Sequence, residues 1–145
     1  MIPSPSPKAR VLVVDDESTT RSAVARALSL AGYEAHAVGS GREALSELST
    51  HEYDLMLLDL RMPGMDGTEV LAQARQSYPD LVVIVLTAHA TPASAVEAMK
   101  AGAADHLLKP CSFEEIEVAI SGALKRQRER VAPSEQEAPL GNSAQ

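Results

Sequence analysis

The sequence predicts an α/β fold in which helices cover both faces of a parallel sheet. Short apolar runs typical of buried strands alternate with segments whose apolar residues recur at helical spacing. The alternation occurs five times, and such a pattern is typical of parallel sheets with right-handed crossovers. With 145 residues, 45% of them hydrophobic, the chain is long enough for one core and too short for two comfortable domains.

The first strand–helix unit begins with the β-branched run 11–14, which is followed by Asp15 and Asp16. An uninterrupted apolar run of this kind is typical of a strand buried on both faces. Helical spacing begins at Ser18 and ends before Gly32, a residue type that commonly caps helix C-termini. The unit therefore places two carboxylates directly after a strand.

The second and third units follow the same plan. Residues 33–38 are a weaker strand signal, and residues 40–43 match a capping box that opens the second helix. Residues 55–59 form the central apolar run, which ends in Asp59. Asp66 then caps a third helix that ends before Pro79.

The fourth unit has the strongest strand signal, residues 81–86, followed by Thr87. Its helix is predicted over 91–102, between a Thr-Pro start and a glycine. A brief fifth strand, 106–108, precedes Lys109. With the most apolar strands in the centre, the predicted order is 2-1-3-4-5, a doubly wound flavodoxin-like sandwich.

The domain is predicted to span residues 9–130. The last helix runs from Ser112 to about Arg130 and carries one apolar face. Residues 1–8 alternate serine and proline, which predicts a disordered tail, and residues 131–145 have little to bury, which predicts a second tail or a linker.

Composition excludes several classes of function. The chain has 13 basic and 20 acidic residues, a net charge of −7, which argues against direct nucleic-acid binding. No apolar run reaches membrane-spanning length, and no signal peptide is visible. The single cysteine cannot form an internal disulfide. We therefore expect a cytoplasmic protein with no membrane association.

Polar residues at the ends of four strands predict the site. Because parallel strands bring their carboxyl ends to one edge, the three carboxylates, one hydroxyl and one ammonium should share a pocket. Clustered carboxylates repel unless a cation neutralises them, and oxygen ligands favour Mg²⁺. A phosphoryl group could be held there while one carboxylate attacks it. The residues concerned are Asp15, Asp16, Asp59, Thr87 and Lys109. Asp59 by itself would equally suit a turn cap.

Four motifs in order resemble the CheY-like receiver domain of two-component response regulators. They are residues 14–17 (VDDE), 58–67 (LDLRMPGMDG), 86–88 (LTA) and 108–110 (LKP). Each motif is weak alone, and together they are specific. The resemblance covers Arg10 to Leu124.

The resemblance implies a role for each site residue. Asp59 is the expected phosphoacceptor, and Asp16, Asp59 and the backbone carbonyl of Arg61 are the expected Mg²⁺ ligands. Asp15 is expected to act on the metal mainly through water. Lys109 is expected to pair with the phosphoryl group, and Thr87 is the expected switch hydroxyl.

Other positions refine the resemblance. The second switch position, commonly tyrosine or phenylalanine in the family, is His106 here. Ala88 and His89 are expected at the rim of the pocket, and Pro110 occupies a position that is typically cis. Residues 86–110 are similar to receivers that precede AAA+ sigma-54-dependent transcriptional activators.

The resemblance implies that a sensor histidine kinase phosphorylates Asp59 and that the fourth helix, fifth strand and fifth helix respond, changing affinity for a partner or for a second copy. Such a receiver assists its own phosphorylation but is not a turnover enzyme.

Two alternatives stay open. A haloacid-dehalogenase-type phosphatase would need an acid where Arg61 stands. An interaction module that is not phosphorylated is the other.

Overall fold

The computed structural model describes residues 6–62, 66–88 and 91–144, with side chains described as far as residue 130. Five strands alternate with five helices. In chain order they are β1 (Arg10–Val14), α1 (Ser18–Leu30), β2 (Glu34–Val38), α2 (Gly41–Thr50), β3 (Leu55–Asp59), α3 (Gly67–Ser77), β4 (Val82–Thr87), α4 (Pro92–Lys100), β5 (Asp105–Leu108) and α5 (Phe113–Ala144).

All four strand pairings are parallel, and the strand order is β2-β1-β3-β4-β5. This confirms the predicted doubly wound fold. Both faces of the central strands are covered, which explains why their sequences are continuously apolar rather than alternating. Every residue of β3 and β4 is buried.

Two cores flank the sheet because successive side chains of a strand point to opposite faces. Val11 and Val13 of β1 pack in the core under α1 and α5. Leu12 and Val14 pack in the opposite core with α2, α3 and Ala98 of α4. The sheet is thus held rigidly from both sides.

Helix starts follow the predicted capping chemistry. The Ser40 hydroxyl accepts a hydrogen bond from the Glu43 backbone N–H, while the Glu43 carboxylate accepts one from Gly39. Thr91 and Ser94 form a reciprocal capping box. Gly32 and Gly102 have φ values of 102° and 108°, a region in which glycine is favoured after a helix.

The last helix is longer than the sequence predicts. α5 continues to Ala144, whereas its end was expected near Arg130. Its buried apolar stripe runs from Ile116 to Leu124, so the described packing involves only the first part of the helix. The predicted domain limit at residue 130 stays a prediction. The predicted N-terminal tail falls largely on residues 1–5, outside the described residues.

Within the described residues, no helix combines the length and the apolar character that a membrane crossing requires.

Candidate functional site

The sheet brings the predicted site residues to one edge. Asp59 is the last residue of β3 and Thr87 the last of β4, while Asp15 follows β1 and Lys109 follows β5. Since β1, β3, β4 and β5 are consecutive neighbours and all parallel, their carboxyl ends lie side by side. Lys109 contacts both Asp15 and Asp59 there, and for Thr87 the structure gives its place at the end of the neighbouring strand β4.

Three carboxylates form a compact oxygen cluster. One oxygen from each of Asp15, Asp16 and Asp59 lies within 4.8 Å of the others. Asp15 and Asp59 are buried, with 5% and 7% of their surfaces exposed, whereas Asp16 is exposed. An all-oxygen donor set open to solvent on one side suits Mg²⁺, which keeps several of its waters. These residues therefore fit a magnesium ion.

Lys109 is the cation that balances the cluster. Its Nζ donates to Asp15 Oδ2 at 2.6 Å and to Asp59 Oδ2 at 3.3 Å. Burial disfavours the ammonium, but the Asp15 hydrogen bond and the negative charges of Asp59 and Asp15 outweigh it and raise the pKa of Lys109. Lys109 is thus charged, and Asp15 is its nearer partner.

The surroundings of Asp59 disfavour the ionised form of its carboxyl group. Burial, opposed by the Arg61 backbone hydrogen bond and by Lys109 but reinforced by the Asp15 charge, raises the pKa of Asp59. The Arg61 N–H donates to Asp59 Oδ1 at 3.0 Å, which orients the carboxylate. A cation bound between Asp15 and Asp59 would weaken their mutual repulsion and favour the ionised form of Asp59.

The loop after β1 is held by a residue that the sequence interpretation missed. The Arg21 guanidinium donates to the carbonyl oxygens of Asp15 at 3.1 Å and Asp16 at 3.3 Å. The Glu17 N–H donates to Asp15 Oδ1 at 2.9 Å, which fixes the carboxylate itself. Nothing in the local pattern distinguishes Arg21 from an ordinary exposed helix residue.

Gly67 is a second residue whose role the sequence interpretation missed. A Cβ at this position would lie 2.5 Å from the Cα of Leu60 and 2.8 Å from the Asp59 carbonyl oxygen. The start of α3 therefore packs directly on the backbone that carries Asp59. In the sequence, Gly67 is the last residue of the motif 58–67 and follows the helix cap Asp66.

The two predicted switch residues lie on neighbouring strands. Thr87 is buried, and in the β4–β5 ladder it is paired with Leu108, while His106 is paired with Val85. His106 is half-buried, and its Nε2 atom is buried with no hydrogen-bond partner among the described residues.

The remaining predicted positions have mixed outcomes. Ala88 is exposed directly after β4, and His89 lies outside the described residues. The Lys109–Pro110 bond is cis, as the resemblance implied. For Arg61 the structure gives the N–H contact to Asp59, and metal binding by its carbonyl oxygen stays a prediction.

Comparison with known proteins agrees with this arrangement. Residues 11–121 match the response regulator receiver domain family. The chain is 40% identical over 121 residues to the DNA-binding transcriptional regulator NtrC of Klebsiella pneumoniae, covering 83% of this chain and 26% of that protein. It is 38% identical over 118 residues to the regulatory protein AtoC of Escherichia coli, covering 81% and 26%. The chain thus spans about a quarter of these relatives.

Solved receiver structures have the same fold. A CheY-like receiver domain protein from Methanospirillum hungatei superposes with a TM-score of 0.81 at 27% identity, covering 87% of this chain and 99% of that one. The beryllofluoride-activated NtrC4 receiver domain dimer, solved in solution, gives a TM-score of 0.78 at 36% identity, covering 81% and 98%. The similarity of this chain to receivers of transcriptional regulators matches the expectation from residues 86–110.

Proposed function

The chain belongs to the response regulator receiver domain family, and we propose that it accepts a phosphoryl group on Asp59 from a sensor histidine kinase in a Mg²⁺-dependent step. The observation that carries the proposal is the convergence of three carboxylates and one ammonium at one sheet edge. The family assignment disfavours the phosphatase alternative. The domain would act in the cytoplasm and would not turn over a substrate.

Asp15, Asp16 and Asp59, with the Arg61 carbonyl, are the residues that would hold Mg²⁺. When bound, the ion supplies charge neutralisation for the phosphoryl oxygens and for the crowded carboxylates. Arg21 and the Glu17 N–H support this step because they hold the loop of Asp15 and Asp16 in place.

Asp59 is the nucleophile in the proposed transfer. One of its oxygens attacks the phosphorus of the kinase's phosphohistidine; a P–O bond forms as the P–N bond breaks, and the imidazole nitrogen leaves with the electron pair. The Arg61 N–H orients the attacking carboxylate. The transferred phosphoryl group adds negative charge beside Asp15, and Lys109 together with the metal ion would neutralise it.

Lys109 is placed to bind the transferred group. Its Nζ lies 3.3 Å from Asp59 Oδ2 and is charged, so it can pair with a phosphoryl oxygen on that side chain. Thr87 ends the neighbouring strand, and its hydroxyl is the second proposed contact for the phosphoryl group. Movement of Lys109 and Thr87 would couple the edge of the sheet to β4 and β5.

The response is proposed to reach the face formed by α4, β5 and α5. This face exposes large apolar side chains, with 52% of Val96, 46% of Met99, 55% of Leu108 and 72% of Val118 accessible. Contiguous exposed apolar patches are typical of interaction surfaces, and these side chains are proposed to form one. His106, on β5, is proposed to change rotamer when Thr87 moves.

A homodimer through this face is the partner state we propose for the phosphorylated form, in keeping with the activated NtrC4 receiver dimer. To shift the protein from mostly inactive to mostly active, phosphorylation must favour one state by about 3–5.5 kcal/mol. Charge-assisted hydrogen bonds from Lys109 and Thr87 to a dianion are of that order.

Phosphorylation is tested by incubating the full chain with acetyl phosphate and Mg²⁺ and measuring the intact mass. We expect a phosphoryl adduct that disappears in Asp59→Asn and in the presence of EDTA. Asp54→Asn is the matched control, because Asp54 accepts from Arg10 N at the opposite edge of the sheet. A wild-type protein that shows no phosphoryl adduct would favour the interaction module that is not phosphorylated. Hydrolysis of free phosphomonoesters would favour a phosphatase.

Dimer formation is tested separately by the change in oligomeric mass on adding beryllofluoride, a mimic of the phosphoryl group. We expect Met99→Lys to prevent the increase. Leu30→Lys introduces the same charge at an exposed apolar position of α1, outside the proposed face, and should leave the increase intact. Equal effects of both substitutions would contradict the assignment of the face.

A further inference from the structure

The loop that carries Asp15 and Asp16 is tied to α1 by one arginine side chain. Arg21 Nη1 donates to the carbonyl oxygen of Asp15 at 3.1 Å and to that of Asp16 at 3.3 Å. We propose that Arg21 is a positioning residue that sets the affinity of the site for Mg²⁺, because it holds the backbone from which both carboxylates project. The inference rests on the proposed function, in which the carboxylate cluster binds Mg²⁺.

The three acids of the cluster are held in different ways. The carboxylates of Asp15 and Asp59 each accept hydrogen bonds from a backbone N–H and from Lys109. Asp16 is the exposed member of the cluster, and Arg21 contacts its carbonyl oxygen instead of its carboxylate. The position of the Asp16 carboxylate therefore depends on the backbone that Arg21 holds, and Asp16 is the ligand that loss of Arg21 should displace most.

The Arg21 guanidinium is itself packed against the turn that precedes α2. A Cβ at Gly39 would lie 3.2 Å from Arg21 Nη1, 3.3 Å from Cζ and 3.5 Å from Nη2, so the face of the guanidinium covers the glycine. The Gly39 N–H donates to the Glu43 carboxylate at 2.9 Å, which fixes this turn on α2. The Asp15 N–H donates to the Val38 carbonyl oxygen at 3.2 Å. Arg21 thus lies at a junction where two loops are joined.

Positioning and charge predict opposite effects of Arg21 on Mg²⁺ binding. A guanidinium near the cluster repels a divalent cation, so loss of its charge alone would tighten binding. Loss of positioning would weaken binding, since groups that orient metal ligands typically contribute roughly 10–100-fold to metal affinity. We expect positioning to dominate because Nη1 is directed at two carbonyl oxygens, whose partial negative charges offset part of the guanidinium charge.

The test measures the Kd for Mg²⁺ of the full chain by titration calorimetry. Arg21→Met keeps the helix propensity and the apolar stem, so the variant should fold, and we expect its Kd to rise about tenfold. Arg21→Lys should recover most of the affinity, because one nitrogen makes both hydrogen bonds and an ammonium can replace it. At saturating Mg²⁺, phosphorylation of Arg21→Met by acetyl phosphate should approach the wild-type rate.

A second readout needs no metal. In EDTA, the amide hydrogen of Glu17, which bonds to the Asp15 carboxylate, should exchange faster in Arg21→Met than in the wild type, because the loop is held less firmly. Arg26→Met is the matched control, since Arg26 is an exposed arginine of the same helix. It should change neither the Kd for Mg²⁺ nor the exchange of Glu17.

Three results would overturn the proposal. An unchanged Kd with a lower Tm in Arg21→Met would show that Arg21 only stabilises the fold, and a lower Kd would show that its charge dominates. Equal weakening of Mg²⁺ binding by Arg26→Met would remove the assignment to Arg21. A wild-type phosphoryl adduct alongside any of these results would leave the proposed function standing, whereas a wild-type protein that binds no Mg²⁺ would contradict both.

Discussion

Gly67→Ala is predicted to impair the site without touching any polar group in it. The added Cβ would lie 2.5 Å from the Leu60 Cα, 0.9 Å short of the 3.4 Å at which ordinary contact begins. The two nearest further atoms are the carbonyl oxygens of Asp59 and Leu60, at 2.8 Å, so only backbone can give way. Either α3 or the segment that carries Asp59 must move by about 1 Å.

A displacement of this size has two measurable consequences. Overpacking of a buried position costs about 1–3 kcal/mol, which lowers the Tm of a domain this size by on the order of 5–10 °C. Misplacing a reacting group by about 1 Å can cost roughly 100-fold in rate, so phosphorylation by acetyl phosphate should slow by about that factor. Both are measured on the full chain, by thermal unfolding and by the time course of intact mass.

Gly122→Ala is the matched control, because its Cβ would meet only the flexible Arg126 guanidinium, at 3.3 Å. In the middle of α5 it should stabilise the protein by about 0.5–1 kcal/mol and leave phosphorylation unchanged. A Gly67→Ala protein with wild-type Tm and wild-type phosphorylation rate would refute the reasoning that α3 packing positions Asp59.

Three further predictions concern the charges of the site. Mg²⁺ at 100 times its Kd should stabilise the protein by about 2.7 kcal/mol in urea unfolding, and Asp16→Asn should reduce this gain whereas Asp80→Asn should not. Lys109→Met should tighten Mg²⁺ binding several-fold in calorimetry, because the ammonium competes for Asp15 and Asp59; weaker binding would contradict this. Because burial raises the folded-state pKa of Asp59, its ionised form destabilises the folded protein. Asp59→Asn should therefore have a larger free energy of unfolding than the wild type at pH 7 in EDTA, and this difference should vanish as the pH falls through the pKa of Asp59. A difference in free energy of unfolding that widens at lower pH would contradict this prediction.

Most of the fold was predictable because its signals are local. Continuous apolar runs marked the buried strands, and capping residues such as Ser40 and Thr91 marked helix starts through bonds that span three residues. The end of α5 was not predictable from its apolar stripe, because that stripe stops at Leu124 while the helix continues.

The site was predictable to the level of which residues meet. Acidic and ammonium groups at strand ends, combined with parallel topology, were enough to place Asp59 with Asp15, Asp16 and Lys109, and Thr87 at the end of the neighbouring strand. Arg21 and Gly67 escaped prediction because their roles depend on backbone atoms of other segments: the carbonyl oxygens after β1 and the turn after β3.

The sequence by itself determined the order of elements, the residues at the carboxyl edge and the excess of negative charge, since each depends on side-chain chemistry within one strand or one helical turn. Only the tertiary structure decided that Lys109 lies closer to Asp15 than to Asp59. Lys109 lies 94 and 50 positions from these two acids, so the difference between 2.6 and 3.3 Å depends on how whole strands and helices pack.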